Sequence, residues 1–120
     1  MSSATRRDAE RKGQWAELLA AWLLRVKGYR IVDRRFRSRA GEIDLVARRS
    51  KQIAFIEVKA RGNHDAAAAA VTPRQQSRIA RAAEHWLALK GPEDEFDVSF
   101  DVVLVSPWRW PRHIASAFRV

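Results

Sequence analysis

The sequence predicts an α/β fold: a mixed central sheet flanked by helices, with elements in the order αβββαββ. Two segments carry apolar residues at helical spacing, three short β-like runs lie between them, and two more follow the second. At 120 residues the chain is long enough to bury one core and too short for two, so one domain over residues 1–120, with one site, is expected.

Residues 1–7 are expected to form a flexible basic tail. From about Asp8 to Lys27, Trp15, Leu18, Leu19, Trp22, Leu23 and Val26 recur at three- and four-residue spacing, which makes one stripe of an α-helix. A second face holds Gly13, Glu17, Ala20, Ala21 and Leu24. Its small residues allow close packing on a sheet, or the face leaves Glu17 in solvent. Gly28 is a natural stop. Three β-like runs follow, Tyr29–Val32 extending toward Phe36, Glu42–Ala47 and Ile53–Ala60, and they read as a meander. The alanine-rich stretch from Arg61 to Val71 reads as a loop, with the start of a helix as the alternative. Thr72 then offers an N-cap and Pro73 a first helical residue, ahead of Ile79, Ala82, Ala83, Trp86 and Leu87, so a second helix is expected over Pro73–Leu89. After the turn-like Gly91–Glu95, strands are expected at Asp97–Val105 and, beyond Pro107 and Pro111, at His113–Arg119.

No apolar run approaches the roughly 20 residues of a membrane span, and Met1–Arg11 resembles neither a secretory signal nor a transit peptide, so the cytoplasm is the expected location and no membrane partner is expected. The absence of cysteine excludes disulfides, thiolate nucleophiles and zinc–cysteine sites. His64, His85 and His113 are far apart in the chain and receive no catalytic role. The net charge of +9 is lopsided: residues 1–63 hold 16 Lys and Arg against 7 Asp and Glu, whereas 64–120 hold 7 against 7. Such a field attracts polyanions, nucleic acid ahead of anionic membrane, although it also serves as a solubilising surface.

The run Ile53–Ala60 carries the chemistry. Alternation puts Ile53, Phe55, Glu57 and Lys59 on one face and Ala54, Ile56 and Val58 on the other, so the strand is apolar on both sides except near its end. Such a strand is usually central, where an unpaired charge is costly. A lone Glu-x-Lys is most often an ion pair at a strand's emerging end. Asp44, charged between Ile43 and Leu45, changes that reading. With Ser50–Lys51 as a two-residue turn, Arg49 pairs with Gln52 and Asp44 falls across from Glu57; a longer loop would shift the pairing by one. Opposed carboxylates destabilise a sheet unless something positive lies between them. Oxygen donors without histidine or cysteine suit Mg²⁺, with Mn²⁺ as substitute, and Lys59 on the Glu57 face can orient a water or stabilise charge on a phosphate.

Asp44 with Glu57–Val58–Lys59 thirteen positions on resembles the PD-(D/E)xK motif of restriction-endonuclease-like nucleases. More narrowly, Gly41–Glu42–Ile43–Asp44–Leu45, Phe55–Ile56–Glu57–Val58–Lys59–Ala60–Arg61, Arg78–Ile79 with Ala82–Ala83, Phe100–Asp101–Val102–Val103 and Ala117–Phe118 resemble the YraN family of small bacterial proteins over most of the chain. The resemblance implies a restriction-endonuclease-like sheet akin to archaeal-type Holliday junction resolvases, and a Mg²⁺-dependent endonuclease acting on DNA, branched or otherwise structured. It implies Asp44 and Glu57 as metal ligands with the Val58 backbone carbonyl, Lys59 as the catalytic cation, and Glu17 as a further acidic member. Symmetric cutting of a junction would call for a homodimer. Where relatives often carry lysine near the start of the second helix, this chain has Gln75. The alternative is a nucleic-acid-binding or partner-docking module that keeps a nuclease fold and does not cut.

Arg30, Arg34, Arg35, Arg37 and Arg39 crowd just ahead of Asp44. Arg34, Arg35, Arg37, Arg39, Arg61, Gln75 and Arg78 are the expected nucleic-acid contacts. The stripe Arg74, Arg78, Arg81 and His85 also fits an ordinary solvated helix face. Trp108–Arg109–Trp110 interleaves aromatics with a cation as base-stacking surfaces do, but tryptophans near a domain edge are more often packing or subunit contacts, and the segment is assigned no role.

Overall fold

The computed structural model describes residues 3–60 and 71–119, by backbone alone over 3–12. The elements are α1 (Ser3–Val26), β1 (Arg30–Arg37), β2 (Glu42–Arg49), β3 (Gln52–Ala60), α2 (Pro73–Lys90), β4 (Asp97–Val105) and β5 (Arg112–Phe118), which is the expected order αβββαββ. The five strands form one mixed sheet in the order β1-β2-β3-β4-β5. β1, β2 and β3 are an antiparallel meander, α2 crosses over to bring β4 parallel to β3, and β5 returns antiparallel. The strand that is apolar on both sides is thus the central one. The expected loop falls on residues 61–70, outside the described residues, as does Arg61.

The largest departure from the expected boundaries is at the start of α1, the others being shifts of one or two residues. α1 starts at Ser3, so Ser3–Arg7, read from the sequence as a flexible tail, continue the helix. No glycine or proline interrupts residues 3–12, where alanine, arginine, glutamate and lysine are good helix formers. At the other end Gly28 takes φ +94°, and its N–H donates to the Arg25 carbonyl (3.0 Å) while Tyr29 N–H donates to that of Leu24 (2.9 Å), closing the helix.

The sheet is covered on both faces. On one, Ala16, Ala20, Ala21 and Leu24 of α1 pack against Leu45, Ala47, Ala54, Ile56 and Val103. The small-residue face of α1 is therefore the one that meets the sheet, while Trp15, Leu18, Trp22 and Val26 stay exposed. On the other, Ile79, Ala82, Ala83 and Trp86 of α2 pack against Val46, Ile53, Phe55, Val102 and Leu104. Thr72 caps α2 as expected: its hydroxyl accepts the Gln75 N–H (3.2 Å) and the Gln75 side-chain carbonyl accepts the Thr72 N–H (3.1 Å). Among the described residues no helix is long and apolar enough to cross a membrane.

Candidate active site

The β2–β3 hairpin closes with Ser50–Lys51 as its turn and Arg49 paired with Gln52. Ser50 accepts φ +55° there, a conformation that glycine or asparagine takes with less strain. The ladder runs on to Leu45↔Ile56. One residue further, Asp44 and Glu57 stand abreast, as the two-residue turn requires, and a side chain takes over from the backbone pairing: Asp44 Oδ2 accepts the Val58 N–H at 2.8 Å. In the β1–β2 ladder, position 35 lies between Arg34↔Leu45 and Phe36↔Ile43, abreast of Asp44. Arg35, Asp44 and Glu57 thus form a row across three strands, cation beside acid beside acid.

A cleft of about 240 Å³ opens over the two acids of this row, lined by Glu42, Asp44, Glu57, Gln75, Arg78 and Ile79. The first turns of α2 form its far wall. Gly41 sets how close that wall comes. A Cβ on Gly41 would lie 2.6 Å from the Arg78 carbonyl oxygen, so the connection before β2 and the α2 backbone touch where only a glycine fits. Arg78 Nε reaches back to the Ala40 carbonyl at 3.5 Å.

Burial pushes the Asp44 carboxyl up to about 8, and the neighbouring Glu57 charge adds to it; the Val58 N–H opposes both, and Glu17 adds a smaller push in the same direction. Lys59, 8% exposed, sets its Nζ 3.3 Å from Glu57 Oε1, on the Glu57 face of β3. Glu17 approaches from α1 and is held by Arg35, whose Nε donates to Glu17 Oε2 at 2.8 Å. Arg35 keeps φ +50°, uncommon for a side-chain-bearing residue. Glu17, Arg35, Arg37 and Glu42 share a second depression beside the first.

Asp44, Glu57 and Lys59 are therefore brought together, and Glu17 joins them through Arg35. Val58 contributes its N–H to holding Asp44. Gln75 and Arg78 line the cleft, with the Gln75 carbonyl engaged in the α2 cap. Arg34, Arg35, Arg37 and Arg39 are exposed, and Arg37 lies 3.6 Å from Glu42. Among the described residues no three histidine, aspartate or glutamate side chains converge to hold an ion, so Asp44 and Glu57 are the pair that could do so.

Sequence reasoning passed over three features. Glu42 lines the cleft, a place signalled by its i, i+2 relation to Asp44. Asp33 ties β1 to α2, its Oδ2 accepting from Trp86 Nε1 (3.0 Å) and Lys90 Nζ (2.9 Å). Most notably, His113 is not isolated: its Nε2 lies 2.6 Å from Asp101 Oδ2 in a buried pair, and Ser116 N–H donates to Asp101 Oδ1 at 3.0 Å. No local spacing announces that pair, because β4 and β5 meet through a bulge.

Residues 16–105 match the family described as "Uncharacterised protein family UPF0102". The chain is 56% identical over 116 residues to a UPF0102 protein of Parvibaculum lavamentivorans, covering 97% of this chain and 87% of that one. It is 54% identical to a UPF0102 protein of Rhodopseudomonas palustris (92% and 85% covered) and 51% identical to one of Maricaulis maris (94% and 89% covered). Their span includes the glycine contact, the acidic pair, Lys59 and the capped start of α2, and on this match the chain belongs to the UPF0102, or YraN, family.

Proposed function

We propose that the protein is a Mg²⁺-dependent endonuclease that hydrolyses phosphodiester bonds of DNA, branched or structured DNA foremost. One observation carries the reading: two carboxylates are set side by side in a partly buried cleft, where their repulsion opposes folding, and a lysine stands next to them. A fold has no need of such a pair; a divalent cation does. The donor set fits Mg²⁺, with Mn²⁺ as substitute, since it offers oxygen ligands only. Asp44 and Glu57 would hold the ion, with the Val58 carbonyl as a further donor. When bound, it supplies a more acidic water and charge relief on the phosphate.

The chain's own groups do the rest. Lys59 sets its Nζ beside Glu57, where it orients the attacking water and stabilises charge growing on phosphate oxygens. Arg78 and the Gln75 amide face the cleft and position the phosphate. Arg34, Arg35, Arg37 and Arg39 draw the polyanion to that edge of the sheet. Glu17 fixes Arg35 at the rim. That same contact favours the alternative of a binding module that does not cut, because it turns Glu17 toward an arginine instead of leaving it free to assist.

Cleavage of labelled four-way junction, flap, single-stranded and duplex DNA in Mg²⁺, Mn²⁺ or EDTA separates the two. Metal-dependent cutting lost in Asp44→Ala, Glu57→Ala and Lys59→Ala is the expected result. Salt-sensitive binding with no cutting, indifferent to those substitutions and to EDTA, would leave the binding module.

A further inference from the structure

α1 is apolar on two opposite sides. One side, Ala16, Ala20, Ala21 and Leu24, is fully used against the sheet. The other, Trp15, Leu18, Trp22 and Val26, is 64%, 51%, 46% and 66% exposed. A surface helix ordinarily carries one apolar stripe, and the second stripe of α1 has no cover among the described residues. The exposed stripe does not end with the helix. Trp22 stacks on Trp110 of the β4–β5 connection, with ring centroids 5.9 Å apart and planes inclined by 19°, and Trp108, two residues earlier in that connection, is fully exposed.

We infer that this continuous surface is the seat of a second copy of the chain, α1 against α1. The area fits. At about 150–250 Å² for each aromatic side chain, the exposed parts of Trp15, Leu18, Trp22, Val26, Trp108 and Trp110 amount to roughly 800 Å². That exceeds the roughly 300–600 Å² of the largest patch on an ordinary monomer and equals the roughly 800 Å² per partner of a standard interface. The pattern fits as well. Trp15, Leu18 and Trp22 follow the i, i+3, i+7 spacing of a helix–helix seam, and a two-fold axis across it lets each helix offer the same ridge to the other.

Nucleic acid is the poorer occupant. Leu18 and Val26 offer nothing to a base, and Trp22 and Trp110 already turn a face on each other. The acidic cleft lies between the sheet and α2, on the opposite side from the outward stripe of α1, so a pair joined through α1 keeps both clefts open.

Sedimentation equilibrium of the full chain at micromolar concentration should give the mass of two chains, and the dimer should tighten from 0.15 to 0.5 M salt because each copy carries +9. The double variant Trp15→Glu/Leu18→Glu, changed only at exposed positions, should give the mass of one chain with unchanged far-ultraviolet circular dichroism. Val26→Arg, at the end of the stripe, should weaken association by tenfold or more. Single-chain mass for the wild type at all concentrations would overturn the inference, as would a double variant that associates like the wild type. So would a monomer whose tryptophan fluorescence is quenched by single-stranded oligonucleotide and loses that response in Trp108→Ala, since the patch would then be a base-stacking platform.

Discussion

Asp44 is the residue at which stability and function part company. Its carboxyl, ordinarily near 3.8, is raised to about 8 in the fold, first by burial and then by Glu57, so the folded chain holds a proton that the unfolded chain has released. Between those two values the native state binds more protons, and stability falls as pH rises. Above about 8 the penalty is complete. Asp44→Asn keeps an oxygen for the Val58 N–H and removes the charge. In metal-free urea unfolding the variant's advantage over the wild type should grow by about 1–3 kcal/mol between pH 5 and pH 8.5, while cutting is expected to be lost. A difference that does not change with pH would refute the raised carboxyl. The pairing itself was legible in the sequence, because a two-residue turn and strand alternation are local rules that carry Asp44 to Glu57 without knowledge of the rest. The reach of Arg35 to Glu17 was not, since it depends on a left-handed residue inside β1 and on where α1 lies across the sheet.

At the scale of elements, the cleft depends on how α2 is seated. Gly41→Ala places a methyl against the Arg78 backbone, which cannot yield as a flexible side chain would. A cost of about 1–3 kcal/mol in urea unfolding is expected, together with weaker phosphate contact as the first turn of α2 is pushed away; a neutral substitution would mean that the contact is looser than 2.6 Å implies. Gln75 is occupied in the same turn. Its carbonyl closes the capping box, which a lysine cannot do, so Gln75→Lys should raise affinity for DNA while lowering stability by about 0.5–1 kcal/mol, read by titration and by thermal melting together. β4 and β5 are joined by a different device. Burial of Asp101 tends to raise its pKa, but hydrogen bonds from His113, Ser116 and Ser99 together prevail and hold it below the usual range. Its contribution is therefore present at neutral pH and lost on acidification. Asp101→Asn should cost about 2–4 kcal/mol at pH 7, and a cost below about 1 kcal/mol would remove the pair from the list of staples. The capped α2 could be read from Thr72–Pro73 because capping is encoded within four residues. Which face of α1 meets the sheet could not be settled from periodicity: its larger apolar residues favour burial by area, while its alanines allow the close approach that Leu45, Ala47 and Ala54 accept.

On the scale of the whole molecule, charge is distributed by sheet edge. The arginines of residues 30–39 lie on β1 and the connection after it, at one edge, and β5 forms the other. These arginines therefore set a positive edge beside the cleft. Phosphates neutralised there release counterions, so the logarithm of the DNA association constant should fall linearly with the logarithm of salt, with a slope of about −0.9 for each phosphate contact. Arg37→Ala/Arg39→Ala should lower that slope by about 2 and weaken binding to all sequences alike. Arg119→Ala, beyond the end of β5, should leave it unchanged although it removes the same charge per site. Fluorescence-anisotropy titrations with Asp44→Asn, the variant expected not to cut, as the background, from 50 to 300 mM salt, measure both slopes without cleavage of the probe. Equal losses from the two edges would show that the chain attracts DNA by net charge alone, and the edge-on approach to the acidic row would have to be given up.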